Sequence, residues 1–194
     1  LSLSLSLSLH LFVYFVLPVP AGSCWSFSTT GAIEGAYAAH GGILTSLSEQ
    51  QLVSCDSGAG GCGGGQMDQA FSWVKSNGGL CEEDDYPYRG SQGYCQTSCE
   101  KKVTVSGHHD VPPSERALMS AISGQPVSVA INAMPIQHYH GGVFDQACSP
   151  DLDHGVLAVG YGTDPAGKDY WKIKNSWGGG WGEGGYIRIW RENN

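Results

Sequence analysis

Four segments of the chain carry the apolar spacing and end signals of helices. Residues 24–39 contain no proline and many alanines, and Ser23 precedes them as a candidate N-cap, so we predict a helix beginning at Cys24. A second, short helix is predicted from Ser48 to near Cys55. A third is predicted over residues 66–75, because positions 67, 70, 71 and 74 place apolar side chains on one face, and a fourth is predicted over residues 114–122.

Beyond about residue 103 the pattern changes to short β-branched and aromatic runs separated by glycine and proline. Such runs predict strands at 127–131, 155–161, 170–174 and 186–190. The first half of the chain is therefore predicted to be helical and the second half mostly strand.

Two glycines stand inside the first predicted helix, at positions 31 and 35. Each weakens a helix by roughly 1 kcal/mol relative to alanine. They are useful there only if another element packs closely against the helix.

Composition narrows the class of protein. The 194 residues are 41% hydrophobic and 14% charged, which suits a packed core in one domain or two small lobes and excludes wholesale disorder. The net charge is −8 and no Lys or Arg precedes Lys75, so we predict no nucleic-acid partner. Seven cysteines indicate an oxidising compartment, and their odd number leaves at least one thiol without an intrachain partner.

Residues 1–21 read differently from the rest, as a Leu-Ser repeat followed by an apolar run. The segment lacks the positively charged start of a signal peptide. Its apolar run is too short for a membrane-spanning helix, and the Leu-Ser repeat is half polar. We prefer a third hypothesis, in which a CT dinucleotide repeat and an intron acceptor have been translated and genuine coding begins near Gly22. A spliced message that carries the Leu-Ser codons would refute it.

Three residues are candidates for chemistry. A lone cysteine is more often buried structure than a catalyst, but Cys24 begins a predicted helix, where backbone N–H groups and the helix dipole favour a thiolate. Of the seven histidines, His154 begins an apolar strand that would hold its ring on rigid backbone, although a satisfied, partly buried histidine is the simpler interpretation. Asn175 alone is typical of a turn at a strand end.

The motifs around these residues resemble the papain and cathepsin L family of cysteine endopeptidases. Several motifs occur in the family's order, and 130 positions separate Cys24 from His154, while 151 separate it from Asn175. The match runs from residue 22 to about 191. The segments that carry it are Gly22–Phe27, Ser48–Val53, Gly61–Gly65, Leu152–Leu157 and Asn175–Gly178.

The resemblance implies an α+β, papain-like fold of two lobes. Residues 22–105 would form the helical lobe and residues 106–194 an antiparallel, β-barrel-like lobe, with the active-site cleft between them. It also implies a monomer that uses no cofactor and no metal, acts on protein or peptide substrates away from membranes, and resides in a lysosome or vacuole or is secreted.

By the same resemblance, a Cys24 thiolate paired with protonated His154 attacks the peptide carbonyl, and His154 protonates the leaving amine. Asn175 would orient His154 and Trp177 would shield their hydrogen bond, while the backbone N–H of Cys24 would donate to the oxyanion.

The family also implies where the substrate lies. Gly64 and Gly65 would pair with its extended backbone, and the backbone of Asp153 would help to hold it. The main specificity pocket would be lined by Met67, Ala130, Leu152 and Gly155, all small or apolar, so an apolar side chain is expected at the second residue before the cut. Without the motifs, core packing would be the better interpretation of Met67 and Leu152.

The sequence departs from the family at both ends. Pro18 occupies the position of a glutamine whose side chain is the second oxyanion donor, a loss worth on the order of 10²–10³ in rate. Ala21 replaces a cysteine that pairs with the equivalent of Cys62, and the family's partner for Cys148 lies beyond the last residue. We therefore expect a chain truncated at both ends, and the inhibitory propeptide that precedes this domain in the family is absent. The bridge Cys55–Cys95 matches a family disulfide, and Cys81–Cys99 is a predicted extra one.

Two other functions remain open. A catalytically impaired relative that binds peptides or regulates a partner would fit Pro18, although Cys24, His154 and Asn175 are retained. A zinc-binding structural protein would need four ligands, and the cysteine pair 95/99 and histidine pair 138/140 complete no such pattern.

Overall fold

The computed structural model describes residues 22–191. The hypothesis about residues 1–21, with its arguments from Pro18 and Ala21, lies outside the described residues.

Four helices lie close to the predicted segments. They are α1 (Cys24–Ala39), α2 (Glu49–Cys55), α3 (Met67–Asn77) and α4 (Glu115–Ile122), and single 3₁₀ turns occur at Gly61–Gly63 and Met134–Ile136. The longest has 16 residues. Across residues 22–191, none of the helices combines the length and the apolar character that spanning a bilayer requires.

The helix ends show which local signals operate. Ser48 and Ser114 cap α2 and α4, because each hydroxyl accepts a backbone N–H three residues later. Gly78 ends α3 in the left-handed conformation. Ser23 occupies the N-cap position of α1, as predicted, but its side chain makes no cap hydrogen bond, and its Oγ lies 2.7 Å from the hydroxyl of Tyr88.

The strands form one five-stranded sheet in the order β1-β3-β4-β5-β2. They are β1 (Val127–Ile131), β2 (Val143–Phe144), β3 (His154–Thr163), β4 (Asp169–Lys174) and β5 (Tyr186–Trp190). All neighbours run antiparallel except β2, which pairs in parallel with β5. Among the described residues β1 and β2 are the edge strands, each paired on one side only, so the sheet is mixed and open, where an antiparallel barrel-like lobe was expected.

Two hydrophobic clusters form the core. One lies among the helices and contains Trp25, Leu52 and Val74, and the other lies under the sheet and contains Ile173 and Ile187. Their members come from residues 25–105 and 118–189 respectively. The division of the chain at 105/106 stays a prediction.

Helix α1 joins the two clusters, and its two glycines allow the contact. A Cβ at Gly31 would lie 2.8 Å from Leu157 Cδ2 of β3, and one at Gly35 would lie 2.4 Å from Pro126 Cγ. Their cost to the helix is thus explained by close packing against the strand-rich half. The structure also contains the two disulfides, Cys55–Cys95 and Cys81–Cys99.

Candidate active site

Cys24 is the first residue of α1, where backbone N–H groups are not yet used within the helix. Its thiol is half-buried, and the backbone N–H of Gly155 points to it at an N–Sγ distance of 3.4 Å. Because Gly155 belongs to β3, the contact brings the helix end and the strand start together.

His154 is the first residue of β3 and only 7% exposed. One ring nitrogen, Nε2, lies 2.7 Å from Oδ1 of Asn175, which immediately follows β4. That oxygen also accepts the backbone N–H of Ser176 at 2.8 Å. The other ring nitrogen is therefore the one available to Cys24.

Two tryptophans cover this hydrogen bond. The ring of Trp177 stacks on His154 with centroids 5.0 Å apart and planes 23° apart, and Trp181 meets Trp177 edge-on at 5.1 Å. An aromatic cover of this kind excludes water and strengthens the polar contacts beneath it.

Cys24 and His154 shift each other's pKa in opposite directions. Burial raises the pKa of the Cys24 thiol, but the hydrogen bonds from His154 and Gly155 and the attraction to His154 outweigh it, so the net pKa is lowered. Burial lowers the pKa of His154, but its hydrogen bonds to Cys24 and Asn175 outweigh this effect, so the net pKa is raised. Both shifts favour a thiolate beside an imidazolium.

A glycine-rich segment runs beside the thiol. The indole Nε1 of Trp25 donates to the carbonyl of Gly61 at 3.0 Å, and a Cβ at Gly65 would lie 2.6 Å from the Trp25 ring. Gly64, at φ 124°, adopts a conformation that side chains rarely tolerate. Positions 64 and 65 therefore require glycine, and Gly65 lies against Trp25, the residue that follows Cys24.

Three of the four residues expected in the specificity pocket lie together. Ala130 of β1 is the register partner of Gly155, and a Cβ at Gly155 would lie 3.1 Å from Met67 Sδ. Leu152 is 66% exposed, and Asp153 accepts the backbone N–H of Ala133 through Oδ1 at 2.8 Å. Met67 and Gly155 thus face each other across the junction between α3 and β3, near Cys24.

Beyond these residues lie three acidic side chains that the sequence analysis missed. Glu49 is 9% exposed and accepts the hydroxyl of Thr30 at 2.7 Å, and burial raises its pKa well above the ordinary value. Glu34 accepts the backbone N–H of Leu47, and Glu83 adjoins Glu49. Glu49 stands at the start of α2, and its local sequence carries no signal of this cluster.

The metal-binding alternative receives little support from the described residues. Cys95 and Cys99 are each held in a disulfide and cannot act as thiolate ligands. Between residues 22 and 191, the grouping with suitable donor spacing is Asp68, His108 and Asp110, all exposed. The absence of a metal from the reaction stays a prediction.

The site's arrangement suits nucleophilic attack. It offers a thiol whose lowered pKa favours the thiolate, an imidazole held by an amide, and backbone N–H groups at a helix start that can stabilise an oxyanion. Pro18, the position that bears on the second oxyanion donor, lies outside the described residues.

Comparison with known proteins agrees with this chemistry. The family model for papain family cysteine proteases matches residues 20–194. The chain is 52% identical over 177 residues to the KDEL-tailed cysteine endopeptidase CEP2 of Arabidopsis thaliana, covering 88% of this chain and 49% of the relative. It is 51% identical to the cysteine endopeptidase RepA of Oryza sativa, covering 88% and 47%. The chain thus spans about half the length of these relatives.

Solved structures share the fold. The bromelain protease from Ananas comosus, in complex with the E64 inhibitor, aligns with a TM-score of 0.86 and 43% identity over 89% of this chain and 81% of its own. Digestive procathepsin L 3 of Tenebrio molitor aligns with a TM-score of 0.84 and 50% identity, covering 89% and 59%.

Proposed function

Because the chain belongs to the papain family of cysteine proteases, we propose that it is a cysteine endopeptidase that uses Cys24 and His154 as its catalytic pair. The observation that carries the proposal is the contact between these side chains, one at a helix start and the other at a strand start, with pKa shifts in opposite directions. The named activity of the relatives supports the reaction class.

In the proposed reaction, the Cys24 thiolate forms a C–S bond to the scissile carbonyl while the backbone N–H of Cys24 stabilises the oxyanion. His154 then gives its proton to the leaving amine as the C–N bond breaks, which yields a thioester. Water attacks the thioester, His154 takes its proton, and the C–S bond breaks to free the acid and regenerate the thiolate.

Asn175 acts in this scheme as the residue that keeps His154 in place. Its Oδ1 accepts from Nε2, so the opposite ring nitrogen faces the sulfur throughout the cycle. Trp177 keeps water from that hydrogen bond by stacking on the imidazole.

We propose that the substrate lies extended between the Gly64–Gly65 backbone and Asp153. A pocket built on Met67, Ala130 and Gly155, with Leu152 at its rim, would present small or apolar side chains and favour an apolar residue second before the cut. Peptides and proteins are therefore the proposed partners of a monomeric chain, and an inhibitory propeptide would occupy the same cleft. Two disulfides support residence in a vacuole or lysosome, or secretion.

Labelling with a peptide epoxide tests the proposal. The reagent should modify Cys24 in preference to the free thiols of Cys62 and Cys148, because the contacts with His154 and Gly155 favour the Cys24 thiolate, whereas burial raises the pKa of Cys62. Peptide mass mapping locates the adduct, and a fluorogenic peptide measures the accompanying loss of hydrolysis, with Cys24→Ala as the matched control. Binding of peptides without an adduct or hydrolysis would instead favour the impaired relative.

A further inference from the structure

A small crevice of about 40 Å³ opens between α1 and the sheet, next to the proposed catalytic pair. Ser28 of α1, Glu49 of α2 and residues 155–157 of β3 form part of its lining. The end of β4 and the residues after it, 174–176, complete it. The same walls therefore hold His154's neighbour in β3 and the asparagine that orients its ring.

Asn175 directs only one end of its amide towards His154. Its Oδ1 receives two hydrogen bonds, from His154 and from the backbone of Ser176, which fixes the oxygen in that direction. Its Nδ2 must then point away from the imidazole. Asn175 is 7% exposed, and among the described residues this buried Nδ2 has no hydrogen-bond acceptor.

The residues that line the crevice include the chemistry that this nitrogen needs. Lys174, whose side chain ends in an ammonium, and Glu49, whose carboxyl oxygens can accept a hydrogen bond, are both among them. The hydroxyl of Ser176 is also buried and without a partner in residues 22–191. A water molecule among two donors and one acceptor makes about three hydrogen bonds, the usual number for a buried water.

We propose that this crevice holds an ordered water that accepts the Nδ2–H of Asn175, and that Lys174 is a positioning residue for His154 through this water. The inference rests on the proposed function, since it concerns the same imidazole. The water accepts from Asn175 and Lys174 and donates to Glu49. It thereby fixes the amide from the side opposite His154 and links the packing of α1 on the sheet to the ring's orientation.

Other charged groups surround this water without replacing it. Glu34 attracts Lys174 from α1, and Glu83 adjoins Glu49. Asp153 faces His154 from the strand side. Lys174→Met also removes the attraction that lowers the pKa of Glu34, so Lys174→Arg, which keeps the positive charge, is the matched control.

A crystal structure of the intact chain tests the water directly. We expect density within hydrogen-bonding distance of Asn175 Nδ2, Lys174 Nζ and a carboxyl oxygen of Glu49. A crevice without water at this position would overturn the proposal, and so would a protein atom in contact with Nδ2.

Alkylation by iodoacetate, measured against pH, tests the positioning role without requiring peptide hydrolysis. The reagent is an anion, so its reaction with the Cys24 thiolate slows when His154 loses its positive charge. In Lys174→Met we expect the alkylation rate to be about twofold to tenfold lower at neutral pH. We also expect the basic limb, the fall in alkylation rate as His154 loses its proton, to move to lower pH. Lys174→Arg, which keeps a donor, should resemble the native chain.

The sign of the shift separates positioning from simple electrostatics. Loss of a nearby positive charge alone would stabilise the imidazolium and move the basic limb to higher pH. An upward or unmoved limb in Lys174→Met therefore overturns the proposal. If the native chain shows no basic limb at all, the catalytic pair itself is wrong, which is a distinct failure. Circular dichroism verifies folding, and if Lys174→Met does not fold, the crystal structure decides.

Discussion

Replacing Glu83 by glutamine should flatten the dependence of stability on pH. Burial raises the pKa of Glu83 to about 7, against opposing hydrogen bonds from the Tyr88 backbone and Glu49, and the charges of Asp84 and Glu34 add to the rise. The folded chain therefore keeps a proton on this carboxyl at pH values where the unfolded chain, with an ordinary pKa of 4.5, has lost it.

The sign follows from proton linkage. The folded state binds more protons than the unfolded state between about pH 4.5 and 7, so stability is complete below this window and falls as pH rises through it. If Glu83 were fully buried, this pKa shift would change the unfolding free energy by roughly 3 kcal/mol across the window. Solvent screens a partly exposed side chain, so we expect a change of about 1–2 kcal/mol. For a chain of this size, that corresponds to about 2–8 °C in Tm.

Urea or thermal unfolding at a series of pH values from 4.5 to 7.5 measures the effect, in a Cys24→Ala background that prevents self-digestion. The difference in unfolding free energy between Glu83→Gln and its parent should grow in favour of the variant as pH rises. Glu82→Gln is the matched control, since Glu82 pairs with Lys102 at 2.8 Å on the surface. Equal slopes for Glu83→Gln and its parent would refute the reasoning.

Three further substitutions test the site and the packing around it. Asn175→Ala removes the acceptor of His154 Nε2–H, so kcat in peptide hydrolysis should fall about 10- to 100-fold with KM little changed; an unaltered kcat would contradict this role. Gly155→Val places methyl groups against Met67. The ratio of kcat/KM for a substrate with leucine second before the cut to kcat/KM for one with alanine there should therefore fall by about tenfold or more, and an unchanged ratio would place the pocket elsewhere. Gly35→Ala gains helix propensity but meets Pro126, so chemical denaturation should show a net loss of about 1–2 kcal/mol, whereas a gain would mean that the contact yields easily.

The sequence predicted the parts of the fold that rest on local signals. Ser48 and Ser114 stand where helices begin, and the β-branched runs became β1, β3, β4 and β5 within a few residues. The family was identifiable because several of its motifs occur in the same order along this chain, and these motifs surround the residues that the chemistry needs. These motifs also led to Cys24 and His154, which periodicity alone would have left among the core residues.

Features set by distant contacts could not be predicted. Strand β2 has two residues, too few for an alternating pattern, and exists because it lies beside β5. Ser23 has the composition of an N-cap, yet its hydroxyl contacts Tyr88, 65 positions away. Glu49 and Glu83 meet only after α2 has packed, so their raised pKa values have no signature in the sequence.

The ionic state of Cys24 is the property that supports the proposed reaction most directly. Thiolate absorbance in the ultraviolet, recorded against pH as the difference between the native chain and Cys24→Ser, measures it without interference from Cys62 and Cys148. We predict that the difference signal appears below pH 9.0, the ordinary pKa of a cysteine thiol, because the contacts with His154 and Gly155 stabilise the anion. A signal that appears only at or above pH 9.0 would contradict the thiolate–imidazolium pair.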